Sequence, residues 1–439
     1  MKISIALTIM PRIIVKCTNQ DVYQAFLENI KRFKNGRTGD GIKIHGLIST
    51  ERVIILEYGE RIPRGFEKII PDNGEKSEFL VERDVEFILT TRGIKNRFKI
   101  NEIDGSIHGP FDGNGIKVGI IDEGIDPFNE DIIACLEEQR NFETSDDQEV
   151  DLGHGTAIAG LIAGSGNNSR GKYAGLAPKA RLFDARAFNA RGKGYLSDIL
   201  LATEWLRSRE VRIIVMAFQA VPRDARSSIL QDFITRLVLE ENIFFCCSGV
   251  TENDENGIHH SVRLPGRFEH VFTAGCRRSE KGNRNARGKA PGRSQMVVSP
   301  APGKPDILLP GHGIVSLNTE HSIRKDLVLD KNEFYAIYSG ASVATGILAG
   351  IIAKIIGHSP YITPMQLKEI ITSMHLPVKK NETPSREKFN LDIKEIFMRL
   401  GKLHGSHTSY PVITFESLVT TTMLMIFIVA LSLFISTVI

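Results

Sequence analysis

The chain has 439 residues, of which 42% are hydrophobic and 24% charged, a globular balance with room for one core of about 250 residues or more plus smaller pieces. A net charge of +3 excludes a general affinity for nucleic acid or acidic surfaces. The five cysteines, Cys17, Cys135, Cys246, Cys247 and Cys276, lack metal-ligand spacing; their odd number and adjacent pair argue against a disulfide scaffold and fit a reducing compartment better than an oxidising one.

The chain opens on "MKISIALTIMPR", at the short limit of a signal-peptide core and without a clean small-residue cleavage site. Residues 12 to 90 read as a small α+β unit. "RIIVKC" is an expected strand, and "QDVYQAFLENIKRF" an amphipathic helix capped by Asn19. "IKIHGLI" and "RVIILEY" form a strand pair, and "EFLVERDVEFI" closes the unit as one further strand. A polar stretch, "TTRGIKNRFKINEIDGS", leads to Pro110.

From there to about residue 400, strands alternate with helices. "IKVGIID", "ARLFDARAF", "VRIIVMAF", "NIFFCCSG" and "HVFTAGC" read as strands; "GTAIAGLIAGS", "LSDILLATEWLR" and "SSILQDFITRLVLE" read as helices. The alternation predicts an α/β fold, a parallel sheet covered by helices on both faces. Residues 277 to 293 carry seven bases against one acid, Glu280, and read as a solvated loop. The 23 uncharged residues from Ser417 to Ile439 are long enough to span a bilayer as one helix, so the chain is expected at a membrane with a single C-terminal pass. The flanking bases Arg399 and Lys402 suit a tail anchor with the body on the cytosolic side. A lipid-anchor signal removed after Gly405 or Ser406 would place the body outside, and both readings stay open.

Three stretches carry chemistry together. In "VGIIDEGID", Asp122 ends an apolar strand, where open α/β sheets form their ligand crevice. In "DLGHGTAIAG", His154 stands between two glycines at the start of a small-residue helix, where backbones approach closely. In "YSGASVATGILAGIIAKIIG", Ser342 stands at a helix start, where N–H groups and the helix dipole favour developing negative charge. A serine hydroxyl attacks only when a base takes its proton and a carboxylate orients that base. The order Asp, His, Ser is that of subtilisin.

The three motifs resemble those of the subtilisin-like serine proteases (peptidase S8). "IIDEGID" resembles the Asp motif, "GHGTAIAG" the His motif with Ala157 where His is usual, and "SGASVATGILAG" the Ser motif with Gly346-Ile347 replacing Pro-His. The likeness covers residues 110 to 400, and its closing helix is "FNLDIKEIF". It implies a subtilisin-like domain over 109–400, followed by a linker at 401–416 and the transmembrane segment at 417–439. It implies Asp122, His154 and Ser342 as the catalytic set, peptide or protein substrates, and no required cofactor. Substrate is expected to pair with Gly192 and Gly194 in "GKGYLS" and with Ala217, Phe218 and Gln219. Residues 1–100 resemble an inhibitory propeptide, which implies a zymogen cleaved between about residues 88 and 109.

Several positions depart from the pattern. The family's oxyanion asparagine is replaced by Val250 in "FFCCSGVTENDENG", leaving Asn253 or Thr251 as alternative donors. Loss of such a donor costs about 10²–10³ in kcat in subtilisin itself. Gln219 stands where the family usually has glycine, which narrows or closes the cleft. These departures keep open a second reading, a protease fold that binds peptides or a partner and cuts little. Asp131 and Asn168 match calcium-ligand positions, implying a structural Ca²⁺.

Overall fold

The structure, a computed structural model, describes residues 12–35, 42–58, 79–89, 111–144, 153–221, 226–249, 262–277, 304–320, 334–374 and 395–400. The expectations for residues 91–107, 277–293 (beyond Arg277), the segment holding Val250, Thr251 and Asn253, and the C-terminal linker and span fall outside them.

The N-terminal unit starts with β1 (Arg12–Cys17) and α1 (Gln20–Asn35). Asn19 caps α1 as expected, its side chain accepting the Val22 N–H at 2.9 Å. Next come β2 (Ile42–Ile48), β3 (Val53–Tyr58), β4 (Phe79–Arg83) and β5 (Glu86–Leu89). β1 to β4 form a sheet in the order β2-β3-β1-β4, with β1 antiparallel to both neighbours. Strand alternation gives this sheet two buried faces. Val15, Ile54 and Leu56 face α1 through Tyr23, Phe26 and Ile30. Ile14, Val53 and Ile55 join instead the large apolar cluster of the second unit.

The second unit runs through β6 (Lys117–Asp122), β7 (Leu136–Asn141), α2 (Gly153–Ala163), β8 (Arg181–Arg186), β9 (Lys193–Tyr195) and α3 (Leu196–Ser208). It continues with β10 (Ile213–Met216), β11 (Phe218–Ala220), α4 (Ser228–Glu240), β12 (Phe244–Ser248) and β13 (Phe272–Arg277). β14 (Ile307–Pro310), β15 (Ile314–Leu317), β16 (Tyr335–Tyr338), α5 (Ala341–His358) and α6 (Pro364–Met374) follow. Seven strands form one sheet, β14-β13-β12-β10-β6-β8-β7, and every pairing in it is parallel. α2 and α5 pack on one face, α3 on the other with α4 and α6, so the expected α/β architecture is observed. Residues 395–400 are helical; the first three of them fall in "FNLDIKEIF", the segment read as the closing helix.

One expectation is corrected. "EFLVERDVEFI" is not one strand: it breaks at Asp84-Val85, and β5 leaves the N-terminal sheet. β14 and β15 are separate strands, and β15 pairs antiparallel with β16. β7, "LEEQRN", escaped notice because an exposed polar edge strand has no apolar alternation. Among the described residues, α5 is the one helix long and apolar enough to cross a membrane, and it is a buried core helix against the sheet.

Candidate active site

Asp122 is the last residue of β6, at the carboxyl end of an interior strand of the parallel sheet, between β10 and β8. Its side chain is fully buried, and Oδ1 accepts the Glu123 N–H at 2.8 Å. His154 is the second residue of α2 and is 3% exposed. Its Nδ1–H donates to both Asp122 oxygens at 2.8 Å. With the proton committed at Nδ1, Nε2 carries the lone pair, the tautomer a general base requires. Nε2 is buried without a hydrogen-bond partner among the described residues. Ser342, fully buried, is the second residue of α5, and α5 packs directly on α2.

Close backbone approach builds this arrangement. A Cβ on Gly155 would lie 2.1 Å from the Gly124 carbonyl oxygen, so only glycine lets α2 seat against the Asp122 loop. Gly340, with φ 152° and ψ 171°, turns the chain from β16 into α5 in a conformation open to glycine alone. Sequence reasoning missed Glu123. Its carboxylate, 2% exposed, accepts the His154 N–H at 2.6 Å and so caps α2. The signal was an acid directly after Asp122, read there only as part of the motif.

The expected substrate edges lie on either side of β5. β9, holding Gly194, pairs antiparallel with one edge of β5, and β11, holding Phe218 and Gln219, with the other. Gly192 accepts the Leu89 N–H at 3.1 Å. Gln219 is half-buried and pairs with Ile88, so glutamine here leaves the edge open to an added strand. Ala217 is buried just before β11. Phe87 is fully buried on β5, its ring edge-on to Phe218 at 5.5 Å, and Phe188 stacks tilted on Phe218 at 4.8 Å.

Asp131 and Asn168 do not fit a calcium set. Asp131 accepts hydrogen bonds from the Ser165 hydroxyl at 2.6 Å, the Asn168 N–H at 3.3 Å and the Tyr335 hydroxyl. Donors converge on this carboxylate where a hard cation needs further oxygens. Among the described residues no three His, Cys, Asp or Glu side chains gather at one point. The thiols of Cys246 and Cys247 are buried, and burial pushes Cys247 up to about 12, which leaves it inert.

Comparison with known proteins places this geometry in a family. The Subtilase family model (Peptidase_S8) matches residues 113–389. The serine protease AprX of Bacillus subtilis is 30% identical over 278 residues, covering 59% of this chain and 61% of AprX. The intracellular serine protease of Paenibacillus polymyxa is 26% identical over 288 residues, covering 63% of this chain and 79% of that protein. The crystal structure of fervidolysin from Fervidobacterium pennivorans superimposes with a TM-score of 0.64 at 14% identity, covering 90% of this chain and 62% of that one, a likeness of fold. The chain belongs to the subtilase family. It spans about three-fifths of the length of AprX.

Proposed function

We propose that the protein is a serine endopeptidase held as a zymogen by its own N-terminal unit. The observation that carries this reading is β5, seated as a middle strand between β9 and β11, with Gly194 of β9 bridged to Phe188, whose N–H donates to the Asp122 carbonyl. An extended peptide adding itself to those two edges would be gripped by main-chain hydrogen bonds along both sides. Ser342 attacks the carbonyl, His154 Nε2 takes its proton and returns it to the leaving amine, and Asp122 stabilises the imidazolium. N–H groups at the start of α5 face the developing oxyanion, aided by the helix dipole. Residues 1–100 act as the inhibitory segment, and cleavage after β5, between about residues 88 and 109, frees the edges. Ser417–Ile439 anchors the chain to a membrane.

Val250 favours a second reading, a peptide-binding protein with a protease fold, because valine offers no side-chain donor to an oxyanion. A fluorophosphonate probe separates the two. Labelling of the chain freed of its N-terminal unit, lost in Ser342→Ala, is the expected result. A folded, freed chain that never labels sinks the enzyme reading.

A further inference from the structure

Behind Asp122 lies a second carboxyl that the catalytic scheme does not use. Asp184 of β8 stands on the neighbouring strand, on the sheet face that carries Asp122, and is 2% exposed. Its Oδ2 accepts the main-chain N–H of Ile125 at 2.9 Å and the Gln139 side-chain N–H at 2.9 Å. The same Gln139 amide donates to the Ile125 carbonyl at 2.7 Å. Three hydrogen bonds thus close a ring around one residue, Ile125, fully buried and three positions after Asp122. Gln139 reaches in from β7, the edge strand.

The rest of this turn is tied to the helix that carries His154. Glu123 accepts the His154 N–H, and the Asp126 N–H donates to the Thr156 hydroxyl at 2.9 Å. Those ties let the turn move with α2. The ring on Ile125 is what fixes it to the sheet. We propose that Asp184 and Gln139 are positioning residues for Asp122: they lock the turn after it to the sheet, so that the carboxylate meets His154 in one fixed geometry. This rests on the serine-peptidase reading for its effect on rate, but its effect on His154 is independent of catalysis.

The pair also has a charge consequence. Burial, and then the Asp122 carboxylate, push Asp184 up to about 7, against the hydrogen bonds from Gln139 and Ile125 and the attraction of Arg186. The groups facing it are Asp122 from β6 and Arg186 from its own strand; β7 contributes the neutral Gln139, and α2 brings His154 to Asp122. Below neutrality Asp184 is an uncharged acid, and Asp122 is the one carboxylate acting on His154 from this side. Above it, a second negative charge stands behind Asp122.

The test uses the full-length chain for NMR and, for labelling, the same chain after its N-terminal unit has been cleaved off, with Asp184→Asn, Asp184→Ala and Gln139→Ala. Asn keeps a carbonyl acceptor for both N–H groups and removes only the charge, so it also serves where Ala fails to fold. Imidazole NMR, which needs no turnover, should show the His154 Nδ1 proton resonance displaced in Asp184→Ala and Gln139→Ala, as its bond to Asp122 loosens, and close to wild type in Asp184→Asn. Asp184→Ala and Gln139→Ala should label about tenfold more slowly at the optimum, with probe affinity unchanged, while Asp184→Asn keeps the wild-type rate there. A wild-type Nδ1 proton resonance in folded Asp184→Ala and Gln139→Ala, together with wild-type labelling rates in both, overturns the proposal. A freed wild-type chain that never labels would sink the peptidase reading alone, and the Nδ1 resonance would still decide this one.

Discussion

The two faces of the seven-stranded sheet start their helices in opposite ways. On the face carrying Asp122 and His154, α2 and α5 begin on glycine-rich turns; α2 is capped from within the site by Glu123, and Gly340 before α5 has no side chain to cap it. On the other face, the N-terminal unit supplies the caps. Asp84 accepts the Ser197 N–H at 2.8 Å and hydroxyl at 2.7 Å at the start of α3. Glu82 accepts the N–H groups of Ser228 at 2.8 Å and Ile229 at 3.2 Å at the start of α4. A helix N-terminus carries orphan donors and a positive partial charge that some acceptor must meet. On the face carrying Asp122 and His154 the site's own loop meets that demand for α2; on the other face a separable unit meets it for α3 and α4.

The largest effect expected from breaking this division is on the catalytic face. Gly155→Ala forces a methyl against the Gly124 carbonyl and drives the Asp122 loop off α2. Fluorophosphonate labelling should fall at least about 100-fold, a loss of the size that a 1 Å misplacement brings. Labelling within a few-fold of wild type in folded protein would show that the seat is not tight.

On the other face, Arg12→Ala comes next. Arg12 is 8% exposed and donates to Asp198 at 2.9 Å, to Ser197 at 3.0 Å and to Thr144. His45 bonds the same Asp198 oxygen at 3.1 Å. Removing the guanidinium leaves the buried Asp198 with the His45 bond in place of two partners, a loss of roughly 3 kcal/mol. Limited proteolysis should release the N-terminal unit more readily, and labelling of the uncleaved chain should rise. If both stay at wild-type levels, the unit is held by its apolar face, Ile14, Val53 and Ile55, and not by the charges around it.

The third prediction concerns pH. Burial above all pushes Asp84 up to about 6 from 3.8, against the hydrogen bonds from Ser197. The docked state therefore binds a proton that the released, solvated carboxyl gives up. Its contribution is full below about pH 4 and is lost as pH rises through about 6, a span worth up to about 3 kcal/mol. Attachment measured by denaturant titration should weaken between those limits, and Asp84→Asn should flatten that part of the curve. An unchanged slope in the variant would place the pH dependence on another group.

How far the sequence announced this molecule follows from how local each signal is. Asp122, His154 and Ser342 each sit in a short motif whose glycines and apolar flanks specify a strand end or a helix start, so the site's members were legible. β5 was not. "EFLVERDVEFI" has the apolar content of one strand, and its break depends on Glu82 and Asp84 finding helices more than 100 residues further on. Separations of 14 and 59 residues hide Gln139 and Asp184, whose shared target is the backbone of Ile125. Asp131 was misleading for the converse reason: its position suggested oxygen ligands, and its actual neighbours, Tyr335 and Ser165, are hydroxyl donors brought by the fold.

The smallest effect distinguishes the two capped helices from each other. α4 has a cap of its own, the Ser227 hydroxyl accepting the Leu230 N–H at 3.1 Å, in addition to Glu82. α3 has Tyr195 at that position, with no side-chain cap beyond what Asp84 lends. Release of the N-terminal unit should therefore fray α3 more than α4. A lost cap costs about 1 kcal/mol, which is about a fivefold change in local opening. Hydrogen exchange on the released peptidase should speed up by that factor at Ser197 to Ile199 and hardly at Ser228 to Leu230. In Ser227→Ala the two helix starts should become alike. Equal protection in the released wild type would mean that the carboxylates of β4 only dock the unit, and that water replaces them at no cost to the helices they touch.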